Sequence, residues 1–523
     1  MNSSKQGIGL LAVMMACGLA GWYFARTTIP EKPAKEAAGD GPKKASPLHD
    51  PAPRASKTGE RKAVFSRDSE ALAVGANPNQ RSLIFSDADA LARFLAAAEG
   101  KGISVLGRID QLNALHVSFL SLDELNALLD GSEEADYVYP VNLPTPRAQE
   151  TQEGTVGIGN QLLAWLGITS DNSLFGDLVK IGVLDTGSTL EGMKNIFFVD
   201  APENAADWNG HGTAVIDIIK QISPSSDIIS ARIANDNGES NTFLMTQGIL
   251  AMIDAGVDVI NISMGSYGDS TLLKSAVEAA QKAGIVLIAS AGNEGYDQVS
   301  YPAAYENVVS VGAIDANGEI LSFSNSGSVS VTAPGLDLMT AWTGGQSVYF
   351  TGTSASAPVI AGALAAAMSN GTSTNISATQ AYRGLQASFN EAGAPGSDTL
   401  YGEGIIDLGR YMQSGTPGIV DAAIASNYIS QLSNGSYQAE VIVENRGTTT
   451  LINAPVEITT SSGTTTVYVS TLQPGQTTSF KVPLNTTTGS ATINSSVQVT
   501  NGAADSKSSN NVRSNVFTPS STN

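Results

Sequence analysis

Four short stretches hold residue types that could share one reaction: "VLDTGS" around Asp185, "NGHGTAV" around His211, "ASAGNEG" around Asn293 and "GTSASAP" around Ser354. A serine hydroxyl is a poor nucleophile until a base takes its proton. An imidazole near its neutral pKa suits that task, and a carboxylate fixes the tautomer of the imidazole. The chain has three histidines, His49, His116 and His211, and only His211 lies in the same part of the sequence as Asp185 and Ser354. Gly210 and Gly212 flank it, so another backbone can come close.

Each residue also has a plainer reading. Pro358 is compatible with the first turn of a helix, which puts Ser354 and Ser356 at an amino end where either could be an N-cap. That same end carries unpaired N–H groups and partial positive charge, which favour a developing anion. A lone histidine is more often structural than catalytic. The conjunction of a carboxylate, an imidazole and a hydroxyl outweighs these readings, with Ser356 left to packing or capping.

Two rival chemistries fail on pattern. "DTG" also marks aspartic proteases, but these need a second such carboxylate, and no second Asp-Thr-Gly or Asp-Ser-Gly occurs. "GTSAS" departs from the Gly-x-Ser-x-Gly elbow of α/β-hydrolases, whose order is Ser, acid, His; here the order is Asp, His, Ser.

The elements that must position these groups can be read from texture. At 523 residues the chain exceeds one ordinary core, and length suggests about three domains. The uncharged run Gly7 to Ala25, between Lys5 and Arg26, reads as a secretory signal or an uncleaved signal anchor over residues 1–26, so the protein is expected to be secreted or held at the cell envelope. Cys17, the single cysteine, lies inside that run, which leaves the exported body without disulfides or thiolate chemistry. A formal charge of −21 argues against nucleic acid as a partner.

Residues 27–66 are rich in Pro, Ala and Lys without apolar periodicity, as in a disordered linker. Residues 67–149 read as βαββαβ: "RSLIF", a helix capped by Ser86, "ISVLGRI", the alternating Leu115, Val117 and Phe119, a helix behind a Ser121/Glu124 capping box, and a last strand "DYVYPV". From 150 to 413, "LVKIGVLD", "DIISARI", "VDVINISM", "GIVLIASAGN" and "NVVSVGAI" are continuous apolar runs, which suit parallel strands covered on both faces. Helical stretches ending in Gly lie between some of them. This predicts an α/β domain with a mainly parallel sheet and Asp185 and Asn293 at strand carboxyl ends, where chemistry gathers in such sheets. Residues 417–516 alternate apolar with Ser, Thr and charged residues, which fits an all-β sandwich.

With these motifs in this order, residues from about 150 to 413 resemble a subtilisin-like serine protease of the subtilase family. The resemblance implies that Asp185 orients, His211 is general base and acid, Ser354 attacks a peptide carbonyl and Asn293 donates its amide to the oxyanion. It implies that Ser263, Met264 and Gly265 in "NISMG" pair with an extended substrate backbone, with Glu294 near the pocket for the residue before the scissile bond. The family pattern is broken at Ile216 and Asp217, where a small-residue pair is usual, and at Ser188 and Thr189, where His-Pro is common. No cofactor is implied for the chemistry. Calcium is frequent in the family, but no complete ligand set can be mapped, so any metal site stays unknown. The βαββαβ segment resembles the family's inhibitory propeptide, cut between about Pro144 and Gly154, and the C-terminal segment is similar to a CARDB-type adhesion module. The expected partners are protein or peptide substrates, the chain's own prodomain and a membrane tether through the N-terminal run. The rival reading, an inactive protease scaffold used in adhesion, would need a substituted site, and all four positions are intact.

Overall fold

The computed structural model describes residues 68–144, 154–369, 376–485, 489–500 and 504–518. The apolar leader, the linker and the stretch 145–153 lie outside the described residues. No helix among the described residues is long and apolar enough to cross a membrane.

A short helix α1 (Asp68–Ala73) leads into β1 (Gln80–Phe85), α2 (Ala88–Ala98), β2 (Ile103–Ile109), β3 (Ala114–Phe119), α3 (Leu122–Leu128) and β4 (Glu133–Tyr137). The four strands form one antiparallel sheet in the order β2-β3-β1-β4. Leu83, Leu115 and Val117 pack beneath Leu91, Phe94 and Leu125 of the two helices. Two local expectations need correction. Asp87, not Ser86, caps α2, its carboxylate accepting from Ala90 N at 2.8 Å; a charged acceptor one residue nearer the helix wins. Ser121 does cap α3, accepting from Glu124 N at 3.4 Å.

The run "DYVYPV" is not one strand. It divides into β4 and β5 (Pro140–Asn142), and β5 leaves the small sheet to pair elsewhere. Pro140 has no N–H to continue a ladder, which suits a change of partner there.

Next come α4 (Leu162–Trp165), β6 (Lys180–Asp185), β7 (Lys194–Phe197), α5 (His211–Ile222), β8 (Asp227–Arg232), β9 (Glu239–Asn241), α6 (Thr242–Asp254), β10 (Val259–Ile262), α7 (Thr271–Lys282), β11 (Val286–Ser290), β12 (Val309–Ile314) and β13 (Val331–Pro334). Seven of these strands build a sheet in the order β13-β12-β11-β10-β6-β8-β7, and every neighbouring pair is parallel. The hairpin β14 (Leu338–Ala341) and β15 (Ser347–Phe350) precedes α8 (Thr353–Ser369), α9 (Ala378–Gln386) and α10 (Leu408–Gln413). One face of the sheet packs on α5 and α8, with α9 behind α8, the other on α6 and α7, giving two apolar cores. This is a subtilisin-like three-layer α/β arrangement.

Ile109 and Ala114 of the small sheet join the core built around α6. The Phe243 ring of α6 meets the sheet at Gly107, where the pairing of β2 with β3 shifts register; a Cβ on Gly107 would lie 2.8 Å from that ring. His116 lies beside the same ring, centroid to centroid 5.2 Å.

Strands β16 (Ala422–Gln431), β17 (Tyr437–Asn445), β18 (Leu451–Thr460), β19 (Gly463–Leu472), β20 (Thr477–Leu484), β21 (Ala491–Val497) and β22 (Val512–Phe517) form two antiparallel sheets, β16-β17-β20 and β19-β18-β21-β22. Alternating Val441, Val443, Val456, Ile458 and Ile493 fill the space between them.

Candidate active site

Asp185 is the last residue of β6 and His211 the first of α5, and both are buried. His211 Nδ1 lies 2.9 Å from Asp185 Oδ1 and 3.0 Å from Oδ2. A carboxylate only accepts, so Nδ1 carries the hydrogen and the Nε2 lone pair is left for other work. The residues just after Asp185 and just before His211 are tied to one another. Asp185 Oδ1 also takes Thr186 N at 2.7 Å, the Thr186 hydroxyl donates to Asn209 O, and Gly212 N donates to that hydroxyl. Asn209 Oδ1 accepts from His211 N at 3.0 Å. The glycines beside His211 are needed here: a Cβ on Gly210 would sit 2.3 Å from the Trp342 ring, and one on Gly212 would sit 2.3 Å from Gly187 O. Phe350 meets the His211 ring edge-on at 5.1 Å.

Ser354 is the second residue of α8, so its N–H lies in the first turn, where no intrahelical carbonyl is available. Pro358 is not in that turn, as the sequence suggested, but inside the helix. Proline there cannot donate to the carbonyl four residues back, which is Ser354 O. Ser263 Oγ fills the gap, donating to Ser354 O at 3.1 Å, and Asn261 Nδ2 holds Ser263 Oγ from behind at 3.1 Å. The Ser354 hydroxyl in turn donates to Ser263 O at 3.3 Å. His211 Nε2 is buried and has no hydrogen-bond partner among the described residues. Ser356 points the other way, donating to Ala333 O at 3.0 Å, and is a packing residue.

Asn293 lies three residues beyond β11 and is fully buried. Its Oδ1 accepts from Thr353 N at 2.9 Å and from Thr353 Oγ1 at 2.8 Å, which turns Nδ2 outward. That Nδ2 donates to Pro144 O at 2.9 Å.

Pro144 ends a segment that crosses the site as an added strand. β5 pairs antiparallel with β9, Leu143 N donates to Gly238 O, and Asn142 and Gly265 exchange both backbone bonds, at 3.2 and 3.3 Å. Of the three residues expected to pair with an extended backbone, Gly265 does so. The Ser263 carbonyl is taken by Ser354, and Met264 packs into the core around α6. Beside this strand is a cavity of about 210 Å³ lined in part by Pro144, Gly265, Tyr267, Gly292, Glu294 and Ser300. Glu294 Oε2 accepts from Asn293 N at 2.9 Å, from Asn325 Nδ2 at 3.1 Å and from the Tyr267 hydroxyl. Burial, then the hydrogen-bonded Glu294 carboxylate, hold the Tyr267 phenol above its usual pKa.

A model of the subtilase family matches residues 176–404. A thermostable alkaline protease of Halalkalibacterium halodurans is 34% identical over 258 residues, 46% of this chain and 70% of the relative. Subtilisin Savinase of Lederbergia lenta is 32% identical over 251 residues, 45% of this chain and 91% of the relative. The chain belongs to the subtilase family. A thermophilic serine proteinase of Bacillus sp. strain AK1 is also similar, 37% identical over 220 residues, 39% of this chain and 55% of the relative.

As a subtilase, the chain is a serine endopeptidase acting on proteins or peptides, with no cofactor needed for the chemistry. Calcium finds no side-chain cage, since no group of three or more His, Cys, Asp or Glu converges among the described residues. The two departures from the subtilase pattern serve local packing. Asp217 Oδ2 accepts from Gln221 Nε2, Thr340 Oγ1 and Ala341 N, pinning β14 to α5. Ser188 N and Thr189 N donate to Asn195 and Thr213 side chains.

Sequence reading missed several supporting residues. Arg232 is fully buried, ion-paired to Asp236 at 2.8 Å, and donates to Thr186 O behind Asp185. A single arginine ending the apolar run "DIISAR" was the signal. Asn209 and Thr353, which orient the His211 backbone and the Asn293 amide, stand directly inside the motifs.

Proposed function

We propose that this subtilase is an exported serine endopeptidase, made as a precursor that inhibits and then cuts itself, with Asp185, His211, Ser354 and Asn293 as its catalytic residues. The observation that carries this is the chain's own segment 140–144 lying as a strand against β9 and Gly265, with the Pro144 carbonyl on the Asn293 amide, in the domain that also holds the His211–Asp185 pair. An extended substrate would bind the same way, main chain to main chain.

Catalysis then runs as follows. The Ser354 hydroxyl rotates from the Ser263 carbonyl to His211 Nε2, gives up its proton there and attacks the peptide carbonyl carbon. Asp185 holds Nδ1 and stabilises the imidazolium. The carbonyl oxygen gains charge and is received by Asn293 Nδ2 and the Ser354 N–H at the positive end of α8. The C–N bond breaks as His211 returns the proton to the leaving nitrogen. Water repeats the sequence on the ester. In this reading residues 67–149 are the inhibitory prodomain, 150–413 the catalytic domain and 417–516 an adhesion or stabilising module, while 1–26 direct export, with the protein secreted or tethered at the membrane.

Ser354→Ala tests the assignment. Peptide hydrolysis is expected to fall about 10⁴- to 10⁶-fold, the range known for subtilisin, and the precursor to stay intact by mass spectrometry. A variant that still processes itself contradicts it.

A further inference from the structure

Antiparallel pairing has a fixed rhythm: where residues i and j exchange both backbone bonds, i+2 and j−2 are the next pair to do so. Asn142 and Gly265 exchange both. The next such pair is therefore Pro144 with Ser263, and Pro144 has no N–H to give. Its carbonyl accepts from Asn293 Nδ2 instead, and the Ser263 carbonyl, deprived of a backbone donor, takes the Ser354 hydroxyl at 3.3 Å. That hydroxyl is then lost to His211 Nε2, which is left buried without a partner among the described residues. Pro144 is one of the residues that line the cavity of about 210 Å³ beside the strand.

We propose that the chain cuts itself after Pro144 and that the proline at this position slows the cut. The inference rests on the catalytic roles assigned above. Ser354 Oγ bonds to the Pro144 carbonyl carbon, the bond to the Thr145 nitrogen breaks, and the serine proton reaches that nitrogen through His211. Water then hydrolyses the ester, and the new carboxylate belongs to Pro144. An ordinary residue would donate its N–H to Ser263 O and free the Ser354 hydroxyl for His211. Proline cannot, so the bound segment, though its carbonyl is held by Asn293, behaves as an inhibitor first and a substrate second.

The test follows maturation of the full chain and of Pro144→Ala by mass spectrometry. The natural chain is expected to yield an amino terminus at Thr145. Pro144→Ala is expected to yield the same terminus about tenfold faster, the effect of about one recovered hydrogen bond. Independently, the mature enzyme is given peptides spanning residues 139–149 with proline, alanine or N-methylalanine at position 144. The alanine peptide should be cut fastest and the N-methylalanine peptide as slowly as the proline one. A different amino terminus, equal maturation rates, or an N-methylalanine peptide cut as fast as alanine would each overturn the inference while leaving the protease assignment standing. If no peptide is cut and a fluorophosphonate does not label Ser354, the catalytic assignment itself falls, and this inference with it.

Discussion

The units on either side of the catalytic body hold to it by opposite means. The small sheet of residues 68–137 is joined through removable contacts: the Phe243 ring at a register shift, apolar Ile109 and Ala114, and a helix end. Asp136 of β4 supplies the last, accepting from Ser270 Oγ at 2.7 Å and from Leu272 N at 3.0 Å at the start of α7. The C-terminal sandwich is clasped by charge. Glu444 of β17 is buried between Arg410 of α10 and Arg446, and Arg513 of β22 pairs with Glu319 of the catalytic body. A mostly apolar contact without an ion pair can be released as a unit. A buried ion triad cannot be opened without stranding a charge, so the two attachments differ in what breaking them costs.

The largest expected effect comes from breaking the clasp. Glu444→Ala leaves two largely buried guanidinium groups without their shared carboxylate, and should lower stability by about 3 kcal/mol, seen as a fall in the denaturant midpoint of the mature protein. An unchanged midpoint would mean the triad contributes nothing to holding the sandwich. Next in size is the N-terminal contact. Asp136→Ala removes the acceptor for two donors of α7, worth about 1.5 kcal/mol, and activity should appear about tenfold sooner after self-cleavage of the full chain. A lag equal to that of the natural chain would assign the hold to packing alone.

Acidity should separate the two attachments by sign. Burial pushes His116 down to about 4, so its docked form resists the proton that a free histidine accepts near 6.5. The docked state is therefore at full strength above 6.5 and loses stability as pH falls towards 4. Glu391, near Glu444, is pushed up to about 7 by burial and then by the Glu444 carboxylate. Its contribution is present below the ordinary carboxylate range and is lost as pH rises through 7. Calorimetry of the Ser354→Ala precursor should show the N-terminal transition a few degrees higher in His116→Gln than in its parent at about pH 4.5 and unchanged at 7.5. That comparison keeps Asp136, which burial pushes the opposite way, constant on both sides. Glu391→Gln should raise the sandwich transition at 7.5 and leave it alone at 4.5. Shifts of the same sign at both attachments would erase the contrast.

What the sequence disclosed follows from how far each signal extends along the chain. β6, β8, β10, β11 and β12 lie within longer apolar runs rich in β-branched residues and were legible. β7 is only "KNIF" and β13 only "VTAP", too short for a pattern and dependent on neighbours for their identity as strands. The catalytic candidates were legible because each sits in a compact motif of small residues. Arg232 and Asp217 were not, since their partners Thr186 and Thr340 come from other elements. Pro358 misled because its cost is offset by the Ser263 hydroxyl, which is 95 positions away.

Helix α8 is buried along all of its residues from Thr353 to Ser369. Its backbone is thus held by the core it forms, and the Ser354 oxygen has only its own side-chain torsion to change. In the precursor proposed above, waking the enzyme is consequently a matter of clearing the doorway: once the blocking strand departs, only that one torsion stands between latency and turnover.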